Sequence, residues 1–306
     1  MKRWSYPVII MFAAVMCLSM NDGFTEQKGK PIYSRTEPSQ YFESRHCHGG
    51  AGSLMYMSLL GEGNKAVFET NLLFIHRGVM LPRSGLGEHL HRHMEEMYIT
   101  FDGCIQHTVN GRTAELPPGS TVLCSMGSSH GMYNPNDKEV NYINIGVTEV
   151  KGKYDNVDFN DDLVNAKIES PAPFLWANFD RRLLKPAKNA HGGKGAILFR
   201  RLWDKESFKT NWEFVDHCVL PPGTSIGYHQ HNKIEEVYYL MSGSGRVTVN
   251  DVTWNVTAGD AIPCTLHDSH GLYNNTNENL EIMVISCSVE KGARDTKNWG
   301  DDLSGR

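Results

Sequence analysis

The feature that most constrains this chain is an internal repeat whose two copies lie 140 residues apart. Each copy carries His-x-His, four further residues, Glu, six further residues and Gly. The matched pairs are His89 and His229, His91 and His231, Glu96 and Glu236, Gly103 and Gly243, Cys124 and Cys264, His130 and His270, and Asn134 and Asn274. A repeat of this length and regularity predicts two homologous domains in tandem.

The spacing of the repeat changes once, upstream of the first His-x-His. The run that begins His48-Gly-Gly resembles the run that begins His191-Gly-Gly, but the two are 143 residues apart. Three additional residues are therefore expected in a loop of the first domain, before His89. The run itself has two interpretations, a flexible turn or a loop that shapes a pocket.

Side-chain alternation along a β-strand indicates how the motif residues are placed. His89 and His91 point to one face of a strand, as do Glu96 and Tyr98 on the next strand. Imidazole and carboxylate groups that converge in this way suit a divalent transition metal, and the set does not select among Fe, Mn, Ni, Cu and Zn. We therefore expect two metal ions per chain. The predicted ligands are His89, His91, Glu96 and His130 in the first domain, and His229, His231, Glu236 and His270 in the second.

These residues resemble the two signature motifs of the cupin superfamily. The second motif departs from the family pattern, because Ser125 and Thr265 stand where Pro is usual and His267 replaces the Gly that Gly127 supplies in the first copy. Every ligand position is nevertheless filled twice. The resemblance implies an all-β bicupin with two tandem cupin-type double-stranded β-helix (jelly-roll) barrels. A short helix is expected after each barrel, near Asp161 and Asp301.

The N-terminus is typical of a secretory signal. Lys2 and Arg3 precede an apolar run, residues 8–20, that is shorter than a membrane span. We expect a secreted or periplasmic protein with no membrane attachment after cleavage. A lipoprotein anchored through Cys17 ranks second, because Met16 stands where a small residue is needed. The expected organisation is a signal peptide (1–22), an N-terminal arm (23–47), the N-terminal cupin (48–163), a linker (164–190) and the C-terminal cupin (191–306).

The composition limits the kinds of molecule that this protein is expected to bind. The formal charge of −5 and the absence of a basic stripe interleaved with aromatic residues argue against nucleic acid and leave a small-molecule substrate. The sequence leaves homo-oligomerisation open. Six cysteines remain after the signal peptide, which permits disulfides, although Cys124 and Cys264 occupy equivalent positions in strand-like segments and are expected as buried thiols.

Residues beside the ligands are candidates for catalysis. Tyr98 and Tyr238 share the ligand face, where they either line the pocket or pack inside the barrel. Asn134 and Asn274 follow the last His of each site by four residues. Each Asn is a candidate to hydrogen-bond substrate or to orient a ligand.

Arg83 and His93, near the first site, differ from their counterparts in the second copy. The pair Glu95 and Glu235 matches, but it lies on the other face of the strand. Arg83, with Gly223 as its counterpart, is either a clamp for a substrate carboxylate or a solvated surface residue. Because Arg83 and His93 belong to the first domain, the N-terminal site is expected to carry the chemistry. Glu95 and its counterpart Glu235 alternate to the opposite face and are expected at the surface.

The intact ligand sets favour a metal-dependent enzyme acting on a small oxygen-rich molecule, and the resemblance to bicupins suggests a dioxygenase-type oxidoreductase as the leading hypothesis. The alternatives are a manganese decarboxylase or lyase, a sugar or uronate isomerase, and a non-catalytic germin-like protein that binds metal or sugar. Oxalate-processing members of the family carry an Arg just before the metal motif, whereas Glu88 and Tyr228 stand there in this chain. That difference argues against oxalate.

Overall fold

The protein is built almost entirely from antiparallel β-strands. The computed structural model describes residues 33–61 and 67–306, so the expected signal peptide lies outside the described residues. Within them, helical structure is limited to short 3-10 turns at Pro38–Gln40, Cys47–Gly49, Arg181–Leu183, Ala190–Gly192 and Lys205–Ser207. No helix in this part of the chain has the length and apolar character needed to traverse a bilayer. The prediction of an all-β fold is confirmed.

The N-terminal barrel consists of a seven-stranded and a five-stranded sheet. The larger sheet has the strand order β13-β9-β6-β11-β4-β3-β2, and the smaller has β12-β5-β10-β7-β8. The strands are β2 (Phe42–Arg45), β3 (Ser53–Leu60), β4 (Leu72–Met80), β5 (Gly85–Leu90), β6 (Met94–Thr100), β7 (Ile105–Val109), β8 (Arg112–Leu116), β9 (Ser120–Cys124), β10 (Ser129–Tyr133), β11 (Val140–Thr148), β12 (Val157–Asp158) and β13 (Trp176–Asn178).

The C-terminal barrel has the same arrangement of a seven-stranded and a five-stranded sheet. Their orders are β1-β21-β18-β23-β16-β15-β14 and β20-β19-β22-β17-β24. The strands are β1 (Ser34–Arg35), β14 (Lys185–Lys188), β15 (Ala196–Asp204), β16 (Trp212–Leu220), β17 (Ser225–Gln230), β18 (Ile234–Ser242), β19 (Ser244–Val249), β20 (Val252–Thr257), β21 (Asp260–Cys264), β22 (Ser269–Tyr273), β23 (Leu280–Ser288) and β24 (Lys297–Asn298).

The two barrels exchange an edge strand. β1 precedes the N-terminal barrel in the chain but pairs with β21 of the C-terminal barrel, where Arg35 forms a salt bridge with the fully buried Asp260. β13 directly precedes the C-terminal barrel in the chain but pairs with β9 of the N-terminal barrel. The expected N-terminal arm and linker therefore supply structural strands to the barrels.

The central strands of the seven-stranded sheets bury both of their faces. On β6, Tyr98 packs in a core inside the N-terminal barrel, whereas Met97 and Ile99 pack in a second core that also contains Trp212, Val237 and other residues of the C-terminal barrel. All seven residues of β6 are buried. The face opposite the metal ligands is therefore the contact between the barrels.

Several local predictions can be compared with the structure. Asn110-Gly111 joins β7 to β8 with both residues at positive φ, as a two-residue hairpin requires. The short helices expected near Asp161 and Asp301 are wrong. Each of these carboxylates instead accepts the N–H two residues on, from Leu163 at 3.0 Å and from the equivalent Leu303 at 2.8 Å, which forms a tight turn in place of a helix.

The remaining predictions concern cysteines and the three-residue insertion. All six described cysteines are free, and Cys124 and Cys264 are buried as expected.

The three-residue insertion can be located from the strand pairing. Ser58 pairs with His76 on β4, as the equivalent Arg201 pairs with Asp216 on β16. The spacing therefore changes from 143 to 140 between Ser58 and His76. This interval includes residues 62–66, which lie outside the described part.

Candidate metal centres

Four predicted ligands of the N-terminal barrel converge inside it. His89 is the penultimate residue of β5 and pairs in register with His130 on β10, while Glu96 reaches in from β6. Their ligating atoms and one of His91 all lie within 4.8 Å of one another, and all four residues are buried. This spacing is compatible with four bonds to one metal ion.

The C-terminal barrel repeats this cluster. His229 on β17 pairs with His270 on β22, and Glu236 is on β18. The ligating atoms of these residues and of His231 also lie within 4.8 Å of one another, with every residue buried. The Glu236 carboxylate is 3.2 Å from Nε2 of His270.

The histidine rings are oriented by backbone carbonyls, which leaves the other ring nitrogen facing the centre. Nδ1 of His89 lies 2.9 Å from the Gly87 carbonyl, and Nδ1 of His91 contacts the Asp155 carbonyl. His229 and His231 have the same contacts with Gly227 and Asp295. The buried Nε2 atoms of His91, His229 and His231 have no hydrogen-bond partner among the described residues. A donor set of neutral imidazoles and one carboxylate with unpaired inward nitrogens fits a divalent transition metal.

Burial favours the neutral, metal-binding form of three of the ligand imidazoles, those of His89, His130 and His229. It lowers the pKa of His89 to about 3, helped by the neighbouring His48 and His91. Burial likewise holds the pKa of His130 and that of His229 well below the usual value. For Glu236, burial alone would raise the pKa, but the hydrogen bond with His270 and the nearby imidazoles outweigh it and lower the pKa.

The two His-Gly-Gly runs form a loop against each metal cluster. The His48 ring stacks on His89 at 3.8 Å between centroids, and His191 stacks on His229 at 3.9 Å. Gly50 permits the close approach, because a Cβ there would lie 2.3 Å from the Gly85 carbonyl oxygen. The structure therefore supports the interpretation of the run as a loop that shapes the pocket.

Each metal cluster borders a cavity, and the two cavities differ in lining. The N-terminal cavity has a volume of about 290 Å³ and a wall rich in tyrosine hydroxyls, with Glu96 as its carboxylate. The C-terminal cavity, of about 350 Å³, is more apolar but contains charged side chains. The N-terminal lining includes Tyr56, Phe74, His76, Tyr98, Tyr142, Asn144 and Tyr154, and the C-terminal lining includes Phe199, Arg201, Phe214, Asp216, Tyr238, Val284 and Arg294.

Of the four Tyr and Asn residues predicted to act in catalysis, the two tyrosines line these cavities and the two asparagines do not. Tyr98 and Tyr238 are buried beside Glu96 and Glu236 on the cavity walls. The substrate role predicted for Asn134 and Asn274 is wrong. Both side-chain amides are fully buried and donate to backbone carbonyls, including Lys138 at 2.8 Å from Asn134 and Leu220 at 2.7 Å from Asn274. They fix turns at the end of each barrel.

Of the two interpretations of Arg83, the structure supports the solvated surface residue over the carboxylate clamp. Its side chain is 58% exposed and forms a salt bridge with Asp137 at the surface. His93 is 59% exposed and pairs with Glu149, so neither residue contributes to the N-terminal cavity. The argument for chemistry in the N-terminal barrel therefore loses its basis.

The surface position predicted for Glu95 and Glu235 is wrong as well, because both are fully buried. Alternation does place them opposite the ligands, but that face is the contact between the barrels. Glu235 accepts the backbone N–H groups of Glu69 and Thr70, each at 2.9 Å. These carboxylates join the barrels.

Sequence reasoning missed the residues that distinguish the two cavities, although the repeat contained the signal. Paired positions that differ between the copies include Ser58 and Arg201, His76 and Asp216, Asn144 and Val284, and Tyr154 and Arg294. All but Ser58 line a cavity.

The chain matches the family model described as "Cupin domain" twice, over residues 77–146 and 216–286. An oxalate-binding protein of Thermotoga maritima is 32% identical over 97 residues, which are 32% of this chain and 80% of that protein. An uncharacterised protein of Methanocaldococcus jannaschii is 27% identical over 93 residues, 30% of this chain and 74% of that protein.

Similar solved structures cover both barrels. Bacillus subtilis oxalate decarboxylase matches 89% of this chain and 79% of its own with a TM-score of 0.59 at 14% identity. Another structure of that enzyme, reported for its Mn(II) centres, has the same score and identity and covers 80% of its own chain. The repeat, the twin barrels and the two ligand clusters together identify this protein as a metal-binding bicupin of the cupin superfamily.

Proposed function

We propose that the protein is a metal-dependent lyase that decarboxylates a small dicarboxylate of the oxalate type in its C-terminal barrel. The observation that carries this proposal is the pair of guanidinium groups, Arg201 and Arg294, that line the same cavity as His231 and Glu236. A guanidinium and a metal ion on one wall are complementary to a ligand with carboxylates at both ends.

Arg201 is held in place by its neighbours. Its Nε and Nη2 atoms donate to the two oxygens of Asp216 at 2.8 and 2.9 Å, and its guanidinium lies 4.2 Å from the centroid of Phe214. Nη1 is 3.9 Å from Asp204, beyond hydrogen-bond distance. This third nitrogen is the donor that we assign to a substrate carboxylate.

Asp216 is the group that we assign to proton transfer. Burial raises the pKa of its carboxyl to about 6, although the hydrogen bonds and charge of Arg201 act in the opposite direction. Its carboxyl can therefore take up and release a proton near neutral pH. In the reaction, the bond between the two carboxyl carbons breaks, one carbon leaves as CO2, and the other retains the electron pair. Asp216 supplies a proton to that carbon, which gives formate, and recovers one from the acidic carboxyl of the incoming substrate.

A divalent metal on His229, His231, Glu236 and His270 would supply the Lewis acidity that withdraws electron density from the substrate. The chain's own contribution is orientation by Arg201, proton transfer by Asp216 and exclusion of water by the apolar wall around Phe214. The names of the relatives, an oxalate-binding protein and an oxalate decarboxylase, support this assignment.

The resemblance to bicupins suggested a dioxygenase ahead of a decarboxylase, and the ligand set does not distinguish the two. The sequence argued against oxalate because no Arg precedes the metal motif. Arg201 approaches the cavity from β15, a different strand, and so supplies the missing cation. The carboxylate-binding wall therefore favours the decarboxylase alternative.

The test is the conversion of oxalate by the manganese-loaded protein, with CO2, formate and dissolved oxygen all measured. We expect equal amounts of CO2 and formate, and loss of at least about 100-fold in kcat/KM for Arg201→Ser. Arg83→Ser makes the same chemical change at the surface and should leave the rate unaltered. Oxygen uptake in proportion to substrate would instead support a dioxygenase, and no turnover of oxalate would contradict the proposal.

A further inference from the structure

We propose that the two metal centres of one chain are coupled, so that an ion in either barrel raises the affinity of the other barrel for its own ion. The route that we assign passes through two loops, residues 68–71 and 208–211, each held by the metal strand of the opposite barrel. The inference rests on the two ligand clusters and on the contact between the barrels. It does not depend on the proposed decarboxylation.

The first link connects a metal ligand with a loop of the other barrel. Glu95 precedes the ligand Glu96 on β6, and its fully buried carboxylate lies on the other face of the strand. There it accepts the backbone N–H groups of Lys209 and Thr210 at 2.9 and 2.8 Å. Neighbouring residues of a strand share one backbone and point in opposite directions. A metal ion that fixes Glu96 therefore also limits the positions open to Glu95 and to residues 208–211.

The second link connects this loop with the segment that follows β23, residues 289–295, which we call the C-terminal strap. Nζ of Lys291 donates to the Thr210 carbonyl at 3.2 Å. The side-chain amide of Asn211 donates to the Val289 carbonyl, also at 3.2 Å. One end of the strap is therefore held by a loop that Glu95 of the other barrel holds in turn.

The third link connects the strap with a ligand of the C-terminal cluster. The backbone carbonyl of Asp295 accepts from Nδ1 of His231. The Asp295 carboxylate accepts the N–H groups of Asn232 and Lys233 at 3.0 and 2.9 Å. A contact of this kind fixes the tautomer and the orientation of a ligand ring. A displacement of the strap would therefore change the direction in which His231 presents its metal-binding Nε2 atom.

A second route, related to the first by the 140-residue repeat, leads from the C-terminal cluster back to the N-terminal one. The N-terminal strap is residues 149–155. The contacts follow the same order, from strand to loop, from strap to loop and from strap to ligand, and they join Glu235 with Thr70 at 2.9 Å, Lys151 with the Glu69 carbonyl at 3.0 Å, and the Asp155 carbonyl with His91. Matched routes in both directions agree with the reciprocity that coupled binding equilibria require.

Coupling along these routes should be positive. The first ion orders its own ligands and, through the loop and the strap, part of the second cluster. The second ion then binds with a smaller loss of conformational freedom. Couplings between sites are typically about 5–150-fold, and we expect about 10-fold here. Either barrel still binds its ion alone when metal is in excess, so the coupling changes affinity and not the number of ions bound.

The test compares the metal affinity of the unaltered chain with that of two variants, each with one intact cluster. His91→Ala disables the N-terminal cluster, and His231→Ala disables the C-terminal one. Manganese is titrated into the metal-free proteins by calorimetry. We expect the product of the two binding constants of the unaltered chain to exceed the product of the two single-site constants about 10-fold. Equal products, or a smaller product in the unaltered chain, would overturn the proposal.

The route is tested by Lys151→Met combined with Lys291→Met, which removes the side-chain bond from each strap to its loop. Both lysines are exposed, so the fold should be retained. With the single-site variants made again in this background, we expect the ratio of products to fall below about 3. Lys153→Met makes the same change at an exposed residue of the N-terminal strap and should leave the ratio near its original value. An unaltered ratio in the double variant would overturn the proposal.

Hydrogen exchange provides a readout that does not depend on an affinity. In His231→Ala, manganese fills the N-terminal cluster alone, whereas residues 208–211 belong to the other barrel. We expect the ion to slow amide exchange of Lys209 and Thr210 at least about 3-fold, with the hairpin at residues 250–257 unchanged as the internal control. No change in the loop would overturn the proposal. Neither measurement uses oxalate, so a failure of oxalate turnover is a separate result.

Discussion

The carboxylate of Glu95 accepts two hydrogen bonds from Thr210 of the other barrel, from the backbone N–H at 2.8 Å and from the hydroxyl at 2.7 Å. The reverse pair has the same geometry, because Glu235 accepts from the N–H and hydroxyl of Thr70 at 2.9 and 2.6 Å. Glu95 and Glu235 each precede the carboxylate ligand of their own barrel. A pseudo-twofold contact therefore connects each metal strand to a loop of the opposite barrel.

Replacement of Glu95 by Ala should destabilise the protein strongly. The change would leave the backbone N–H of Lys209 and the buried N–H of Thr210 without an acceptor. We expect a loss of about 3 kcal/mol in the free energy of unfolding, measured by urea denaturation. Glu149→Ala, at an exposed carboxylate, is the control and should change it by less than about 0.5 kcal/mol. Equal effects would mean that the contact between the barrels contributes little.

The fully loaded protein should contain two metal ions per chain, one in each cluster. His91→Ala and His231→Ala should each reduce the content to one ion, because each removes one of four ligands from a single cluster. Elemental analysis by mass spectrometry measures the content. A single ion in the unaltered chain, or loss of both ions in either variant, would contradict two independent sites.

The metal-free protein should become less stable as the pH falls below about 6.5. Because burial lowers the pKa of His89 to about 3, the unfolded chain binds a proton between these two values that the folded chain does not. Each such histidine then costs about 1.4 kcal/mol per pH unit. Urea denaturation at several pH values measures how steeply the free energy of unfolding falls as the pH is lowered. This slope should be shallower for His89→Gln than for the exposed control His93→Gln. Identical slopes would show that His89 does not contribute.

Asp216 should control how oxalate turnover depends on pH. It faces Arg201 on β15, Glu236 on β18 and Arg294 beyond β23, and its pKa is raised to about 6. If its protonated form donates the proton, kcat should be highest below this value and fall about tenfold per unit above it. Asp216→Asn should remove that part of the profile. A profile that keeps the same fall in the variant would assign the proton to another group.

The sequence was sufficient to predict what depends on the repeat and on strand alternation. The paired barrels and the two ligand clusters follow from the spacing of His89, Glu96 and their equivalents. The position of Glu95 did not follow, since alternation gives the face of a strand but not what covers it. The role of Arg201 was missed for a similar reason. It belongs to a strand far from the motif in sequence, and only the β15–β16 register brings it beside Asp216.

The exchange of β1 and β13 also sets the order in which the two strands can pair during synthesis. As the chain leaves the ribosome, the N-terminal barrel can acquire its last edge strand once Asn178 has emerged. Residues Ser34 and Arg35 must wait much longer, because β21 ends only at Cys264. The first described strand of the chain is thus among the last to find its partner, and a nascent chain arrested before β21 would hold one complete barrel and an unpaired N-terminal strand.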